Sequence, residues 1–131
     1  FKDVEEVSQQ LEERRSFGSS SCAIEHRPDY VSLSFFGRLD APEIQRIDPD
    51  SMLSDIGSHD CILDLDGLDF IDSSGIGFLI KIQKHVSRHG GGCILCNLPV
   101  NVRQMLRITK VMPLFQIEKD VAGAEKALKK I

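Results

Sequence analysis

The chain has no long apolar run: stretches such as Cys93 to Cys96 fall far short of the roughly 20 residues a membrane-spanning helix requires. No charged-then-apolar leader opens it either, so the expectation is a cytoplasmic protein with no membrane span. Phe1 rather than Met stands first, and the numbering is therefore expected to begin inside a longer gene product. An excess of basic charge is also missing. With 16 Lys and Arg against 20 Asp and Glu, and a net charge of −4, the chain lacks the positive surface that displaces counterions from nucleic acid, which argues against direct DNA or RNA binding. Loop-sited cysteines are absent too. Cys22, Cys61, Cys93 and Cys96 lie within apolar runs, and 131 residues with 41% hydrophobic content bury an ordinary core without disulfides, so reduced, buried thiols are predicted. There is no internal repeat and no low-complexity tract, which leaves a single domain as the default.

From Phe1 to Arg15 the residues Phe1, Val4, Val7 and Leu11 recur at helical spacing among charged neighbours, which predicts an amphipathic helix over 1–15. Its expected uses are packing on the domain, a homodimer through this helix, or continuation of a coiled coil. Ser16 to Ser21 reads as a linker, and the globular domain is expected over 22–131. Cys22 to His26 and Tyr30 to Phe36 read as a hairpin around Pro28-Asp29, the second strand alternating Val31, Leu33 and Phe35 with Ser32 and Ser34. A short helix is expected between Ala41 and Ile56, with Pro49 excluded from its interior. Cys61 to Leu65 is a predicted strand, and a helix begins near Ser73 and runs to about Arg88. Cys93 to Leu98 reads as a strand covered on both faces. A helix over Val100 to Ile108, a short strand over Leu114 to Ile117 and a terminal helix over Val121 to Ile131 complete an α/β fold, a mixed sheet flanked by about four helices besides the N-terminal one.

Asp72-Ser73-Ser74-Gly75-Ile76-Gly77 places two hydroxyls and a carboxylate where a strand hands over to a helix. Ser73 or Ser74 is suited to cap the first-turn amides, and the helix dipole favours a negative group there. Capping alone is the bland account of these residues. Two glycines in a first turn are costly unless something approaches the backbone closely, and a partner surface would be one such reason. Projection at about 100° per residue puts Ile76, Leu79, Ile80 and Val86 on the buried stripe and Gly77, Lys81, Lys84 and His85 opposite. Phe78 falls on the polar side, either as an exposed docking anchor or covered by the terminal or N-terminal helix, and Ile82 at the margin.

Gly37-Arg38-Leu39-Asp40, then Cys61-Ile62-Leu63-Asp64-Leu65, then Phe70-Ile71-Asp72-Ser73-Ser74-Gly75-Ile76-Gly77 resembles the ordered signature of STAS domains, particularly bacterial anti-sigma factor antagonists. The resemblance runs from about Tyr30 to the C-terminus, through Leu98-Pro99 and Leu114-Phe115. It implies a STAS-like fold, a phosphoacceptor at Ser73 with Asp72, Ser74 and Gly75 beside it, and a partner surface whose candidates are Asp40, Ile76, Gly77, Phe78, Lys81 and Ile82. It further implies a non-catalytic binding module without cofactor, acting in signal transduction and transcription regulation by partner switching. An anti-sigma factor that is also a serine kinase binds unmodified Ser73 and releases the phosphorylated form, and a serine phosphatase resets the switch. The alternative is a STAS accessory domain of a membrane transport system, or a small-ligand or nucleotide-binding STAS domain. Two departures stand out: the Asp40 to Cys61 segment carries Pro49 and is short for the family, and the N-terminal helix is additional.

Competing chemistries are weaker. His89-Gly90-Gly91-Gly92 mimics an oxyanion loop, but no G-x-S-x-G elbow accompanies it. Cys93 and Cys96, three apart on a strand, point to opposite faces and make a poor metal or redox pair. Asp64, Asp66, Asp69 and Asp72 lack the acidic pair and lysine of a receiver pocket, so no metal is expected. His26, His59, His85 and His89 are scattered near element ends and read as solvated or locally bonded. Arg103, Arg107 and Lys110 form either a local anion patch or a solvated helix face.

Overall fold

The computed structural model describes residues 15, 16 and 22–129. The helix expected over 1–15 and the linker over 16–21 therefore lie, apart from Arg15 and Ser16, outside the described residues. Those two residues form β1 (Arg15–Ser16), paired antiparallel with β2 (Cys22–His26). β2 in turn pairs antiparallel with β3 (Val31–Leu39), closing the hairpin around Pro28-Asp29. The next strands are β4 (Cys61–Ile71), β5 (Cys93–Cys96) and β6 (Gln116–Glu118), all parallel to β3, and the sheet order follows the chain from β1 to β6.

Sequential parallel strands require a crossover at each step, and right-handed crossovers that all advance in one direction leave their helices on one face. Those helices are α1 (Ala41–Ile47) and α2 (Pro49–Ile56) before β4, α3 (Ser73–Arg88) before β5, and α4 (Val100–Ile108) before β6. Leu33, Phe35, Leu63, Leu65 and Leu95 meet Ile47, Met52, Leu79, Val102 and Leu106 on that face. α5 (Val121–Leu128) follows the last strand and covers part of the other face, where Ile62, Ile94 and Cys96 pack on Ala124. Tyr30 Oη donates to Glu125 Oε2 at 2.5 Å and ties α5 to the start of β3. Alternation along β4 and β5 thus feeds two unequal cores.

Four expectations are corrected in detail. The single helix between Ala41 and Ile56 is two, so the described residues hold five α-helices. Asp48 takes a left-handed φ of 60° and ends α1, and Pro49 opens α2, where its missing N–H costs nothing. β4 runs six residues past Leu65. Register shifts against β3 between Ser34 and Phe36 and between Gly37 and Arg38 break its alternation and disguise the strand in the sequence. The terminal helix ends at Leu128, and the last strand lies at Gln116–Glu118.

All four cysteines are free and buried. Cys93 belongs to the larger core and Cys96 to the smaller, on opposite faces as their spacing requires. Burial pushes the thiols of Cys22, Cys93 and Cys96 up to about 12 from an ordinary 9.0, and that of Cys61 well above its ordinary value. Folding therefore favours the neutral thiol. The resulting stabilisation is complete below pH 9 and is lost as pH rises towards the folded values. The native protein at pH 8 is expected to resist iodoacetamide while the denatured chain takes up four equivalents. The urea midpoint should fall steeply above pH 9.

Candidate functional site

The C-terminal ends of β3 and β4 deliver two helix starts side by side. Asp40, directly after β3, caps α1 by accepting from the Glu43 N–H at 3.3 Å, and Asp72, directly after β4, caps α3 by accepting from the Gly75 N–H at 3.0 Å. The Asp72 N–H reaches the Leu39 carbonyl at 3.4 Å, so the first turn of α3 rests on the end of β3. Gly75 explains how close that contact is: a Cβ there would stand 2.3 Å from the Leu39 oxygen and 2.6 Å from Ile71 Cγ1. The reason for this glycine is thus internal, not a partner. Gly77 differs, since a Cβ there would meet nothing within 4 Å.

Capping by Asp72 corrects the expectation that a serine caps α3. Ser73 is the first helical residue and Ser74 the second; both are exposed, and neither hydroxyl has a hydrogen-bond partner among the described residues. A cap must be extended, and Asp72 has that backbone, with φ −115° and ψ −172°. Ser73 consequently presents a hydroxyl with no structural duty at the positive end of a 16-residue helix.

Beside it lies a groove of about 310 Å³ between α1 and α3. Ala41, Ile44 and Pro49 line one side, Ser74, Gly77 and Lys81 the other, and Phe78 lies between them. Asp40, at the start of α1, has its carboxyl held below the ordinary 3.8 by the Arg38 hydrogen bond at 3.0 Å, with the Glu43 N–H acting in the same direction against partial desolvation. Arg38 also lies over the Phe70 ring, 4.1 Å from its centroid. Lys81 Nζ approaches Asp50 Oδ1 at 3.9 Å, an exposed pairing of little energetic weight.

The partner-surface candidates divide. Gly77 and Lys81 are exposed and line the groove, whereas Asp40 is half-buried and lines a separate cleft with Phe36, Arg38, Pro42 and Arg46. Ile76, Phe78 and Ile82 are 4%, 3% and 0% exposed and are not accessible to a partner in this fold. Phe78 packs edge-on against Phe35 at 6.2 Å, while Ile80, assigned to the buried stripe, is only half-buried. One buried stripe was the wrong geometry for α3. It packs on the sheet with one side and against α1 and α2 with another, so its buried arc is wider than amphipathic projection allows. The groove walls Ala41, Ile44 and Pro49 escaped the sequence reading because no periodicity located the two short helices.

The rival sites resolve into local structure. His89-Gly90-Gly91-Gly92 ends α3: Gly90 has φ 83°, the Gly91 N–H bonds to the Val86 carbonyl at 2.9 Å, and the Gly92 N–H bonds to Asp60 Oδ1 at 2.8 Å. Asp64 accepts from the Asp66 N–H and from Asn97 Nδ2, each at 3.1 Å. Three histidines bond to backbone carbonyls, and His26 lies 3.5 Å from Asp55. Among the described residues no three His, Cys, Asp or Glu side chains gather to hold a metal, and no helix is long and apolar enough to cross a membrane.

A mixed sheet with its helices largely on one face, and an exposed serine opening the helix after β4, is the architecture of a STAS domain. The STAS domain family profile matches residues 4–124, and the chain belongs to that family. Its similarity runs to anti-sigma factor antagonists. It is 29% identical over 75 residues to BtrV of Bordetella bronchiseptica, proposed to be an anti-sigma factor antagonist, covering 57% of this chain and 65% of that protein. It is 26% identical over 100 residues to the anti-sigma F factor antagonist of Paenibacillus polymyxa, covering 72% and 86%. Among solved structures, an anti-sigma factor antagonist domain protein of Planctomyces limnophilus superposes with a TM-score of 0.74 at 22% identity, over 82% of this chain and 97% of that one. The Bacillus protein SpoIIAA, solved in its phosphorylated form, gives 0.58 at 20% identity, over 83% and 97%.

Proposed function

We propose that this domain is a phospho-switched binding module of the anti-sigma factor antagonist type, with Ser73 as phosphoacceptor. The observation that carries the reading is the division of labour at the start of α3: Asp72 caps the helix, and Ser73 is left exposed with a free hydroxyl. The groove between α1 and α3, bounded by Ser74, Gly77 and Lys81, is the docking surface in this reading. The partner is an anti-sigma factor that is also a serine kinase. It binds the unmodified hydroxyl, transfers phosphate to it from ATP and then dissociates, and a serine phosphatase restores binding. The domain supplies shape and an acceptor rather than catalysis. That SpoIIAA is known in a phosphorylated form supports the reading by analogy of fold.

Physically, phosphate adds about −1.5 to −2 charge next to Asp72. In the isolated domain the dipole of α3 and solvent offset this charge. Against a docked partner the same charge loses its water without gaining a counter-ion. Incubation with the cognate kinase and ATP, followed by peptide mass spectrometry, is expected to place a single phosphate on Ser73. Phosphate on Ser74 alone, or on neither serine, would count against the assignment and in favour of an accessory role in a transport system.

A further inference from the structure

The tip of the domain between α4 and β6 combines two features that are ordinary when they occur apart. Ile108 is 72% exposed and Leu114 48% exposed, with Pro113 exposed as well, so two large aliphatic side chains project into solvent close together in the chain. The charge that accompanies them is all positive. From residue 97 to 117 there is no Asp or Glu, while Arg103, Arg107 and Lys110 all fall there, in a chain of net charge −4. Among the described residues none of these three has a carboxylate within ion-pair distance, whereas Arg27, Arg38, Arg46 and Lys81 do. The helix dipole accounts for cations near the end of α4, but not for Ile108 and Leu114. One exposed aliphatic needs no explanation; two set among unpaired cations do.

The backbone of this tip is closed on itself. The N–H groups of Thr109, Lys110, Val111, Leu114 and Phe115 each bond to a carbonyl between Met105 and Met112, at 2.9 to 3.1 Å, and Lys110 takes the left-handed φ of 62° that ends the helix. Such a segment can leave water without stripping those donors of partners, which is the condition for entering a lipid interface. Ile108 and Leu114 are also protrusions: neither lines the groove at Ser74 or the clefts at Phe36, Tyr30 and Asn97. A protein anchor seats in a well-packed pocket, whereas a fluid bilayer accepts projecting side chains without one.

Topology puts the tip at the end of the domain away from Ser73. β6 starts level with β5, Gln116 beside Ile94, so α4 has to return to the N-terminal ends of the strands before β6 begins. Ser73 follows the C-terminal end of β4. α3 also ends at the pole of the tip, where Arg88 is exposed. The carboxylates of this pole are engaged elsewhere: Asp29 and Asp60 line a cleft with Tyr30 and Glu125 beside α5, on the other face of the sheet, and Glu25 and Asp55 lie against Arg27 and His26. A surface held by the tip leaves the serine pointing away from it.

We propose that the α4–β6 tip seats this domain on an anionic bilayer, Ile108 and Leu114 entering the interface and Arg103, Arg107 and Lys110 meeting the headgroup charge. This docking does not depend on Ser73. The chain contains no tryptophan, so Leu114→Trp supplies a single reporter. On vesicles of phosphatidylglycerol and phosphatidylcholine in about 0.05 M salt, its emission is expected to shift to the blue and to be quenched by brominated acyl chains, while that of Gln45→Trp, beside the Ser74 groove, is not. Vesicle affinity of the full chain, measured by co-sedimentation, should fall at least tenfold in Ile108→Glu and in Arg107→Glu combined with Lys110→Glu, with unchanged far-UV circular dichroism. It should be lost on pure phosphatidylcholine and in about 0.5 M salt, and be unchanged in Ser73→Asp.

No binding to the phosphatidylglycerol vesicles would overturn the proposal, and so would binding that survives both sets of variants or leaves Leu114→Trp unquenched, the outcomes expected when another part of the chain meets the lipid. Leu114→Trp emission that responds to polyglutamate and not to vesicles would overturn it too, and would reassign the tip to an acidic protein.

Discussion

Ser73→Asp is expected to weaken binding to the anti-sigma kinase at least 100-fold in a calorimetric titration, while Ser73→Ala binds like the wild type and takes up no phosphate. The magnitude follows from one uncompensated charge at a desolvated contact, a few kcal/mol, at 1.4 kcal/mol per tenfold change in affinity. The fold should not share in the loss. Ser73 occupies the first position of α3, where a carboxylate interacts favourably with the helix dipole by about 0.3 to 1 kcal/mol, so the melting temperature should be unchanged or slightly raised. Phosphate, with nearly twice the charge, should act in the same direction more strongly. Equal affinities for Ser73→Asp and wild type would remove the switch from this serine even if the partner is correct.

The second large effect separates two glycines of one helical turn. Gly75→Ala forces a methyl to within 2.3 Å of the Leu39 carbonyl, a backbone atom that cannot swing aside. Such overpacking costs about 1 to 3 kcal/mol, against a gain of about 1 kcal/mol in helix propensity. We expect a net loss of about 1 kcal/mol and a fall in melting temperature of about 4 °C. Because α3 has to lift away from β3, the Asp72 cap and the setting of Ser73 should suffer as well, and phosphorylation should slow. Gly77→Ala meets nothing within 4 Å and should stabilise the domain by about 0.5 to 1 kcal/mol. Since Gly77 borders the groove beside Ser74, its methyl should weaken partner binding even as it raises stability. Opposite signs at residues 75 and 77 would separate an internal role for the first glycine from an interfacial role for the second.

How much of this was legible beforehand varies along the chain for physical reasons. The hairpin, α3, β5 and α4 were readable because each has one dominant environment, so alternation or helical spacing survives in the sequence. The tail of β4 was not, because two register shifts against β3 interrupt its alternation. Phe78 was misplaced for the complementary reason. Its spacing is that of a solvent-facing residue on a helix with one buried side, whereas in the fold it packs edge-on against Phe35 of β3 and lies beside Ala41 and Ile44 of α1. The serine cap was a matter of choosing among three adjacent residues able to accept a hydrogen bond, and the backbone alone distinguishes them.

The order of residues alone determined the class of domain and the burial of the thiols, since these depend on local composition and spacing. Tertiary structure alone decided which of Asp72, Ser73 and Ser74 carries the cap, which face of α3 remains open and why Gly75 is a glycine. Those outcomes depend on contacts between Leu39, α1 and α3, which lie more than 30 residues apart in part and leave no periodic trace in either segment.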